Sequence, residues 1–338
     1  MKRRVREVPA PGREQDGWIR LPVPLPFALR WVNAYLLPGD DGWTVVDPGL
    51  RSPEAEACWE ETLRSIGLPW ERIGQIVVTH HHPDHYGMAG WLQRRTGAVV
   101  RMSVVARRYA LRLWGPGETF SEALTAAFAA HGLPPEHQAG VRAHLHRVRD
   151  TQVLPHPEQV EWLEPGRKLT MGGTEWELIP GEGHAPGHVS LYDRSRRVML
   201  CGDQVLPDIT PNIGWMPDAD PDPLGSFLES LDRLAAYDVV MAYPGHRAPF
   251  ASFGERIGHL KTHHARRLRD MAERVREAGA LNAFDCCVRT FGTGIVNDPH
   301  HLRFAMAETI AHLVRLERTG TLVRETDGRG HIRFRLAD

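Results

Sequence analysis

The sequence contains no uncharged apolar stretch of about 20 residues, the length that a helix needs to cross a bilayer. The segment from Met1 to Gly17 carries basic side chains, but no apolar segment follows them as it would in a secretory signal. We therefore expect a chain without a targeting or membrane-spanning segment.

Cysteine is also scarce, with four residues in 338 and no C-x-x-C pair. This usage excludes a disulfide framework and fits a reducing cytoplasm. Neither sign of charge predominates, since 41 basic residues stand against 42 acidic ones, and this balance disfavours wholesale attraction to nucleic acid or anionic membrane. The length exceeds one ordinary core of roughly 100 to 200 residues, so we expect one large domain and one small one.

Histidine, in contrast, is concentrated in one run, Thr79-His80-His81-His82-Pro83-Asp84-His85, directly after the apolar stretch 73–78. Neutral imidazole and carboxylate are the ligands that zinc and similar divalent cations prefer. A short strand that ends in such a run delivers several ligands to one point. The run therefore predicts a metal site on a strand-to-helix loop, where a rigid scaffold positions functional residues.

Apolar segments and turn residues predict the surrounding elements. An opening hairpin is expected from 31–37 and 43–46, and helices from 53–66 and 87–95. Residues 104–150 carry three helix-like pieces and are interpreted as an inserted cap. Further strands are predicted over 168–170, 175–180, 188–192, 198–201 and 239–242.

Three later clusters place histidine or aspartate beside glycine where a predicted strand ends: His184 in 183–188, Asp203 after Gly202, and His246 after Gly245. Glycine lets the backbone turn sharply and approach a bound ion without a Cβ clash. Together with the histidine run they make four clusters of the same kind, and four such clusters predict a metal site far more specifically than one would.

With these residues the sequence resembles the metallo-β-lactamase fold superfamily, whose H-x-H-x-D-H signature is matched by His80, His82, Asp84 and His85. The resemblance implies an α+β fold, a four-layer αββα sandwich. It also implies that one metal is held by His80, His82 and His184, and a second by Asp84, His85 and His246. Asp203 would bridge the two ions, an arrangement similar to glyoxalase II and different from the antibiotic-cleaving lactamases.

The chemistry implied is hydrolytic, in the EC 3 class. A hydroxide shared by two divalent ions, most readily zinc with iron or manganese as alternatives, attacks an electrophilic carbonyl or phosphorus. Asp84 is implied to be catalytic as well as a ligand, because it orients the hydroxide and passes a proton to the leaving group.

The last 85 or so residues form a separate pattern. Helices are expected over 253–277, from near Asn282, and over 299–319, followed by strands over 321–325 and 331–336 around a turn at 327–330. Helices followed by a two-stranded wing resemble a winged-helix domain. The predicted division is thus a catalytic domain over 1–252 and a winged-helix-like domain over 253–338.

Several residues near the motif carry alternative interpretations. His81 is not expected to be a ligand, because its side chain points away from those of His80 and His82 in an extended segment. His188 is either a hydrogen-bond partner of a ligand or an ordinary strand residue, and Asp47 could orient a ligand histidine or form an Asx-turn. The cap histidines are expected on solvated helical faces; they are His131, His137, His144 and His146.

The function favoured is hydrolysis of a small ester or thioester, with an apolar wall expected from 205–223, where Trp215 and Met216 lie. The alternatives are a metal-dependent endoribonuclease and an iron-dependent redox or dioxygenase enzyme of the same fold. The endoribonuclease is disfavoured because no sustained basic stripe appears. Neither a membrane partner nor a particular oligomeric state is predicted.

Overall fold

The computed structural model describes residues 7–14, 17–117, 119–328 and 330–338. The expectation of no targeting segment rests partly on residues 1–6 and 15–16, which lie outside the described residues, as does Arg329 of the predicted final turn. Within the described ranges, no helix is both long and apolar enough to cross a membrane.

The first sheet has seven strands that lie side by side in chain order. They are β1 (Gly12–Arg13), β2 (Ile19–Pro24), β3 (Trp31–Leu37), β4 (Trp43–Val46), β5 (Ile73–Val77), β6 (Val99–Met102) and β7 (Val160–Trp162). Strands β1 to β4 pair antiparallel, whereas β4 to β7 pair parallel. The predicted hairpin β3–β4 is present, but the expectation that it opens the fold is wrong because β1 and β2 precede it.

The second sheet has five strands in the order β12-β11-β10-β9-β8. They are β8 (Lys168–Met171), β9 (Thr174–Gly181), β10 (His188–Asp193), β11 (Val198–Gly202) and β12 (Met241–Pro244). Because β10 is antiparallel to both β9 and β11, and β11 is parallel to β12, the carboxyl ends of β9, β11 and β12 lie at the same edge.

The two sheets pack face to face, and helices cover their outer faces. These helices are α1 (Pro53–Ser65), α3 (Ala89–Thr96), α7 (Pro223–Ala235) and α8 (Phe253–Ala278), and the single turn α2 (Pro83–Tyr86) lies between β5 and α3 in the chain. Successive side chains of a strand point to opposite faces of its sheet. In the first sheet, Val77 packs between the two sheets and Ile76 packs against the helices. In the second sheet, Leu200 packs between the sheets and Met199 packs against the helices. The expected four-layer αββα arrangement is therefore confirmed.

The predicted cap consists of three helices, α4 (Val104–Trp114), α5 (Phe120–Ala130) and α6 (Pro135–Thr151). The expectation that all its histidines are solvated is wrong for two of them, because His131 and His144 are buried. His131 packs between Trp215 and Phe334, and His144 contacts His300. The insertion is covered by C-terminal elements that are distant in sequence, and helical periodicity alone does not reveal such a partner.

The C-terminal elements after α8 are β13 (Ala280–Leu281), α9 (Ala283–Phe291), α10 (Pro299–Arg318), β14 (Leu322–Thr326) and β15 (Ile332–Leu336). The expected pair β14–β15 gains a third strand, because β13 pairs with β15. Helix α10 is the central element here, since the residues buried along it include Leu302, Met306, Ile310 and Leu313. It packs against α6, α8 and α9 and so connects the C-terminal part to the cap.

Candidate metal centre

The candidate ligands all follow the carboxyl end of a strand. His80 and His82 follow β5, and His184, Asp203 and His246 follow β9, β11 and β12. The two sheets therefore present their strand ends to one cleft. The predicted residues, scattered over more than 160 positions of sequence, are brought together by this arrangement.

One group of potential ligands consists of His80, His82 and His184, whose nitrogen atoms all lie within 4.8 Å of one another. His80 Nε2 is 3.1 Å from His82 Nδ1. The ring centroid of His184 lies 4.6 Å from that of His82 and 5.1 Å from that of His80. Three imidazoles at this spacing could share one cation.

A second group consists of Asp84, His85 and His246, again with ligand atoms within 4.8 Å of one another. Asp84 and His85 lie on α2, a single turn that begins at Pro83, so the proline fixes the point at which the chain turns into the helix. His246 Nε2 lies 3.2 Å from Asp84 Oδ2. This group could hold a second cation.

The carboxylate of Asp203 lies between the two groups. Its Oδ2 is 3.7 Å from His184 Nε2, in the first group, and 3.3 Å from His246 Nε2, in the second. Its Oδ1 is 3.4 Å from His85 Nε2. From this position, one carboxylate could reach a cation in either group.

Asp47 fixes two histidines from the side remote from the cleft. Its Oδ2 accepts hydrogen bonds from His85 Nδ1 at 2.8 Å and from the Thr79 hydroxyl at 2.7 Å. Because that hydroxyl gives its proton to Asp47, it accepts from His80 Nδ1, which lies 2.9 Å away. The Nε2 atoms of His80 and His85 therefore keep their lone pairs for a ligand in the cleft when the rings are neutral. Of the two interpretations of Asp47, the geometry supports orientation of a ligand histidine.

Backbone carbonyls orient the other histidines. His184 Nδ1 donates to the carbonyl of Asn212, and His246 Nδ1 donates to the carbonyl of Trp31, each at 2.9 Å. Neither carbonyl, nor the Thr79 hydroxyl, was predicted from the sequence. Thr79 could have been noticed beside the histidine run, but no side-chain signal marks a carbonyl as a partner.

His81 and His188 lie close to the site without belonging to either group. The His81 ring faces Tyr109, with centroids 5.5 Å apart. His188 is buried with its ring centroid 5.1 Å from that of His80, and a Cβ at Gly202 would lie 2.5 Å from its Nε2. His188 therefore packs against His80, and the absence of a side chain at Gly202 leaves space for the His188 ring.

The electrostatics of the site favour neutral imidazoles in the first group and positive charge around the aspartates. Burial, reinforced by the neighbouring histidines, holds the pKa of His80 and His82 well below 6.5. Burial would also lower the pKa of His246, but Asp203 and Asp84 raise it to about 10. Burial raises the pKa of Asp203, yet His246 and His85 outweigh it and hold that pKa well below 3.8. The carboxylates are thus ionised at neutral pH and demand cationic partners.

The donor atoms that face the cleft are also unsatisfied. Four buried atoms form no hydrogen bond within the described part of the chain: Nε2 of His85, His184 and His246, and Oδ1 of Asp203. Buried polar atoms rarely stay unpaired, and such atoms converging on one point fit divalent cations. The donor set of imidazole and carboxylate suits zinc, and it also suits iron or manganese.

The expected wall after Asp203 lies against the C-terminal part. Trp215 and Met216 line a cleft of about 530 Å³ together with Val314 on α10 and with Arg324. The Trp215 amide donates to the Ala307 carbonyl of the same helix. The segment over 205–223 is therefore held by α10.

Comparison with known proteins adds family evidence. A family model described as the metallo-beta-lactamase superfamily matches residues 30–246, and one described as a metallo-beta-lactamase-like C-terminal domain matches residues 268–337. A crystal structure of a metallo-beta-lactamase family protein from Thermus thermophilus is 33% identical, with a TM-score of 0.83. That match covers 94% of this chain and 98% of the other.

Two curated proteins are also similar. A probable metallo-hydrolase of Bacillus subtilis (strain 168) is 27% identical over 308 residues, covering 88% of this chain and 92% of that protein. A hydroxyacylglutathione hydrolase of Albidiferax ferrireducens is 26% identical over 195 residues. That alignment spans 57% of this chain and 52% of the hydrolase, about half of each.

Proposed function

Because this chain belongs to the metallo-β-lactamase superfamily, as the family model over residues 30–246 shows, we propose that it is a metal-dependent hydrolase of a small ester or thioester. The observation that carries the proposal is the pair of three-ligand groups with the Asp203 carboxylate between them. The similarity to a probable metallo-hydrolase over most of both chains supports the reaction class.

We propose that His80, His82 and His184 hold one divalent ion, that Asp84, His85 and His246 hold the other, and that Asp203 binds both. Unpaired, buried donors and a surplus of ionised carboxylate support this assignment. When bound, the two ions would supply an acidified water as nucleophile and would polarise the carbonyl of the substrate.

Asp84 is proposed as the catalytic base. Of the candidate carboxylates it is the more accessible, with 18% of its side chain exposed against 8% for Asp203. Burial raises its pKa, but His85 and His246 outweigh burial and lower it, so the group is ionised at neutral pH and can take up a proton. Exposure towards the cleft allows it to deliver that proton to the leaving group.

A small acyl substrate is supported by the relatives and by charge. The relatives that match about half of this chain include hydroxyacylglutathione hydrolases, and an acyl group on the thiol of glutathione is a thioester. The near balance of 41 basic and 42 acidic residues offers no wholesale attraction to RNA. The helices α8 to α10 with the strands β13 to β15 are proposed to form a winged-helix-like domain that bounds the entrance.

The test combines metal analysis with a substrate panel. We expect two equivalents of metal per chain by elemental analysis, and hydrolysis of acyl thioesters that a chelator abolishes and added metal restores. A short RNA, assayed with and without chelator, tests the endoribonuclease alternative. Thioester inertness with chelator-sensitive RNA cleavage would replace the proposal by that alternative, and iron content with oxygen consumption would replace it by redox chemistry.

A further inference from the structure

Arg303 on α10 has no counter-ion among the residues that the structure describes. Its Nε atom is buried without a hydrogen-bond partner, and none of the described carboxylates forms an ion pair with it. Other arginines near α10 are paired, as Arg315 is with Asp222 at 2.7 Å and Arg267 with Glu308 at 3.0 Å. Burial lowers the pKa of Arg303 to about 10, which still leaves the guanidinium charged at neutral pH. Arg303 as a whole is partly exposed, so its charge has no ion-pair partner among the described residues but can be reached by an anionic ligand.

The neighbours of Arg303 are neutral donors and aromatic rings. Its guanidinium carbon lies 3.9 Å from the ring centroid of Phe304, so the planar group stacks and keeps its edge donors free. His300 Nδ1 lies 3.2 Å from His144 Nε2, and the ring of Phe27 stacks on His300 with centroids 4.7 Å apart. Burial, and then the charge of Arg303, lowers the pKa of His144 to about 3 and that of His300 to about 4.

The two acidic residues nearest in sequence, Asp298 and Glu308, are already engaged, and Glu308 contacts Arg267 and Asn212. Asp298 accepts a hydrogen bond from the His300 amide as the N-cap of α10, and it pairs with His301 at 3.0 Å. Neither carboxylate forms an ion pair with Arg303, whose guanidinium stands near the imidazole groups of His300 and His144. A planar guanidinium with free donors matches a carboxylate or a phosphate group.

Helix α10 connects this cluster to the proposed metal centre through Asn212. Positions 300, 303, 304, 307 and 308 recur at helical spacing and so share one broad face. On that face, the Phe304 carbonyl and the Glu308 carboxylate accept hydrogen bonds from the Asn212 amide. Asn212 in turn provides the carbonyl that orients His184. One residue thus connects the Arg303 face to a proposed ligand.

We propose that Arg303, with His300 and His144, forms a subsite for a carboxylate or phosphate group that the substrate carries away from its scissile bond. The substrate class is thereby narrowed to anionic esters or thioesters. This inference rests on the proposed function, because it assigns the subsite to the substrate of that same centre.

Four matched thioesters test the subsite on the metal-loaded protein: a neutral one, one with a carboxylate on the acyl side, one with a carboxylate on the thiol side, and one with a phosphate on the thiol side. We expect at least one charged member to exceed the neutral one in kcat/KM. The Arg303→Gln variant should lower that charged-to-neutral ratio about tenfold or more, and Arg303→Lys should restore part of it. The preferred member identifies carboxylate or phosphate as the natural group.

Arg194→Gln is the matched control, because it removes the same charge from an exposed turn that follows the end of β10 remote from the metal centre. It should leave the ratio unchanged, and thermal denaturation should show that both variants are folded. Equal ratios in the wild type and Arg303→Gln would overturn the inference.

Binding measured without turnover separates this inference from the proposed function. Calorimetry with succinate and with inorganic phosphate should show binding that is about tenfold weaker for Arg303→Gln than for the wild type. If no thioester is hydrolysed but this difference persists, the proposed function fails and the anion subsite stands. If thioesters are hydrolysed without charge preference, the subsite alone fails. Binding of a short RNA that depends on Arg303, without preference among thioesters, would also overturn the small-substrate assignment.

Discussion

The carboxylate of Asp47 lies 2.8 Å from Nδ1 of His85, on the side of the ring remote from the cleft. The same carboxylate accepts hydrogen bonds from the amide and the hydroxyl of Thr79, each at 2.7 Å. The Thr79 hydroxyl in turn accepts a hydrogen bond from His80 Nδ1. One buried anion therefore sets the orientation of an imidazole in each of the two proposed metal groups. Asp47 adopts a left-handed backbone with φ of 54°, so its placement is built into the turn after β4.

Substitution Asp47→Ala should weaken metal binding without removing any proposed ligand. His85 and His80 lose the groups that fix their rings, and loss of such partners costs about 10- to 100-fold in metal affinity or activity. The measurement is metal retention during titration with a chelator, together with thioester hydrolysis at saturating metal. Asp41→Ala, in the exposed turn between β3 and β4, is the control and should match the wild type. Unchanged metal affinity in Asp47→Ala would contradict this role.

The sequence indicated where the candidate ligands lie because their chemistry is local. A histidine or aspartate beside glycine at the end of an apolar strand is visible in a short window, and this holds for His184, Asp203 and His246. Their convergence follows from the parallel direction of β9, β11 and β12. Their role as ligands stays a prediction that metal analysis must test.

Burial that depends on packing between distant segments could not be predicted from the sequence. His144 follows the polar periodicity of α6, yet it is buried because α10 lies against that helix and brings His300 to it. No sequence signal marks Arg303, and only the structure shows that none of the described carboxylates forms an ion pair with it. The carbonyls of Asn212 and Trp31 carry no residue-type signal, since every residue has a carbonyl.

Removal of the metal ions should destabilise the folded protein as well as abolish activity. The site gathers the carboxylates of Asp47, Asp84 and Asp203, and cations that bind only the folded state stabilise it by mass action, by about 4 kcal/mol when the free ion exceeds its Kd a thousandfold. Differential scanning calorimetry should therefore show a lower Tm after chelation. In a double variant His80→Ala, His85→Ala the chelator should cause no such shift. A chelator-insensitive Tm in a wild type shown to contain metal would contradict a buried two-ion centre.

Protein stability should fall in mild acid because of the buried pair His264 and His312. His264 Nδ1 lies 3.1 Å from His312 Nε2. Burial, reinforced by His312 and His263, lowers the pKa of His264 to about 2, and burial lowers that of His312 to about 4. Since these pKa values are lowered on folding, the unfolded chain binds protons more readily below pH 6.5. Stability is thus fully present above that pH and is lost as the pH falls towards 4 and below.

The contribution of His264 can be isolated by comparing unfolding at pH 7 and pH 5. Each histidine of this kind contributes at most about 2 kcal/mol to the difference between these pH values, at about 1.4 kcal/mol per pH unit below 6.5. In His264→Leu, the pH-dependent difference in the free energy of unfolding, measured with urea, should shrink accordingly. His259→Leu, an exposed position of the same helix, should keep the wild-type difference. An equal pH dependence in all three proteins would exclude the buried pair as its source.

The glycine before His246 should be indispensable for steric reasons that belong to the metal centre. Gly245 does not have a positive φ, but a Cβ added there would lie 2.5 Å from His85 Cε1 and even closer to Asp203 Oδ1. Both neighbours are buried, and each is held by other contacts of the site, so neither can move aside freely. Gly245→Ala should therefore displace His85 and Asp203, with an overpacking cost of about 1 to 3 kcal/mol and loss of metal from the second group. Gly254→Ala adds the same methyl group at the start of α8, where nothing lies within 4 Å. It should keep the wild-type Tm or raise it slightly, because alanine favours helix.

The measurement is elemental analysis of the two variants, purified in parallel. Full metal content in Gly245→Ala would mean that the close approach of the Gly245 backbone to His85 and Asp203 does not shape the site.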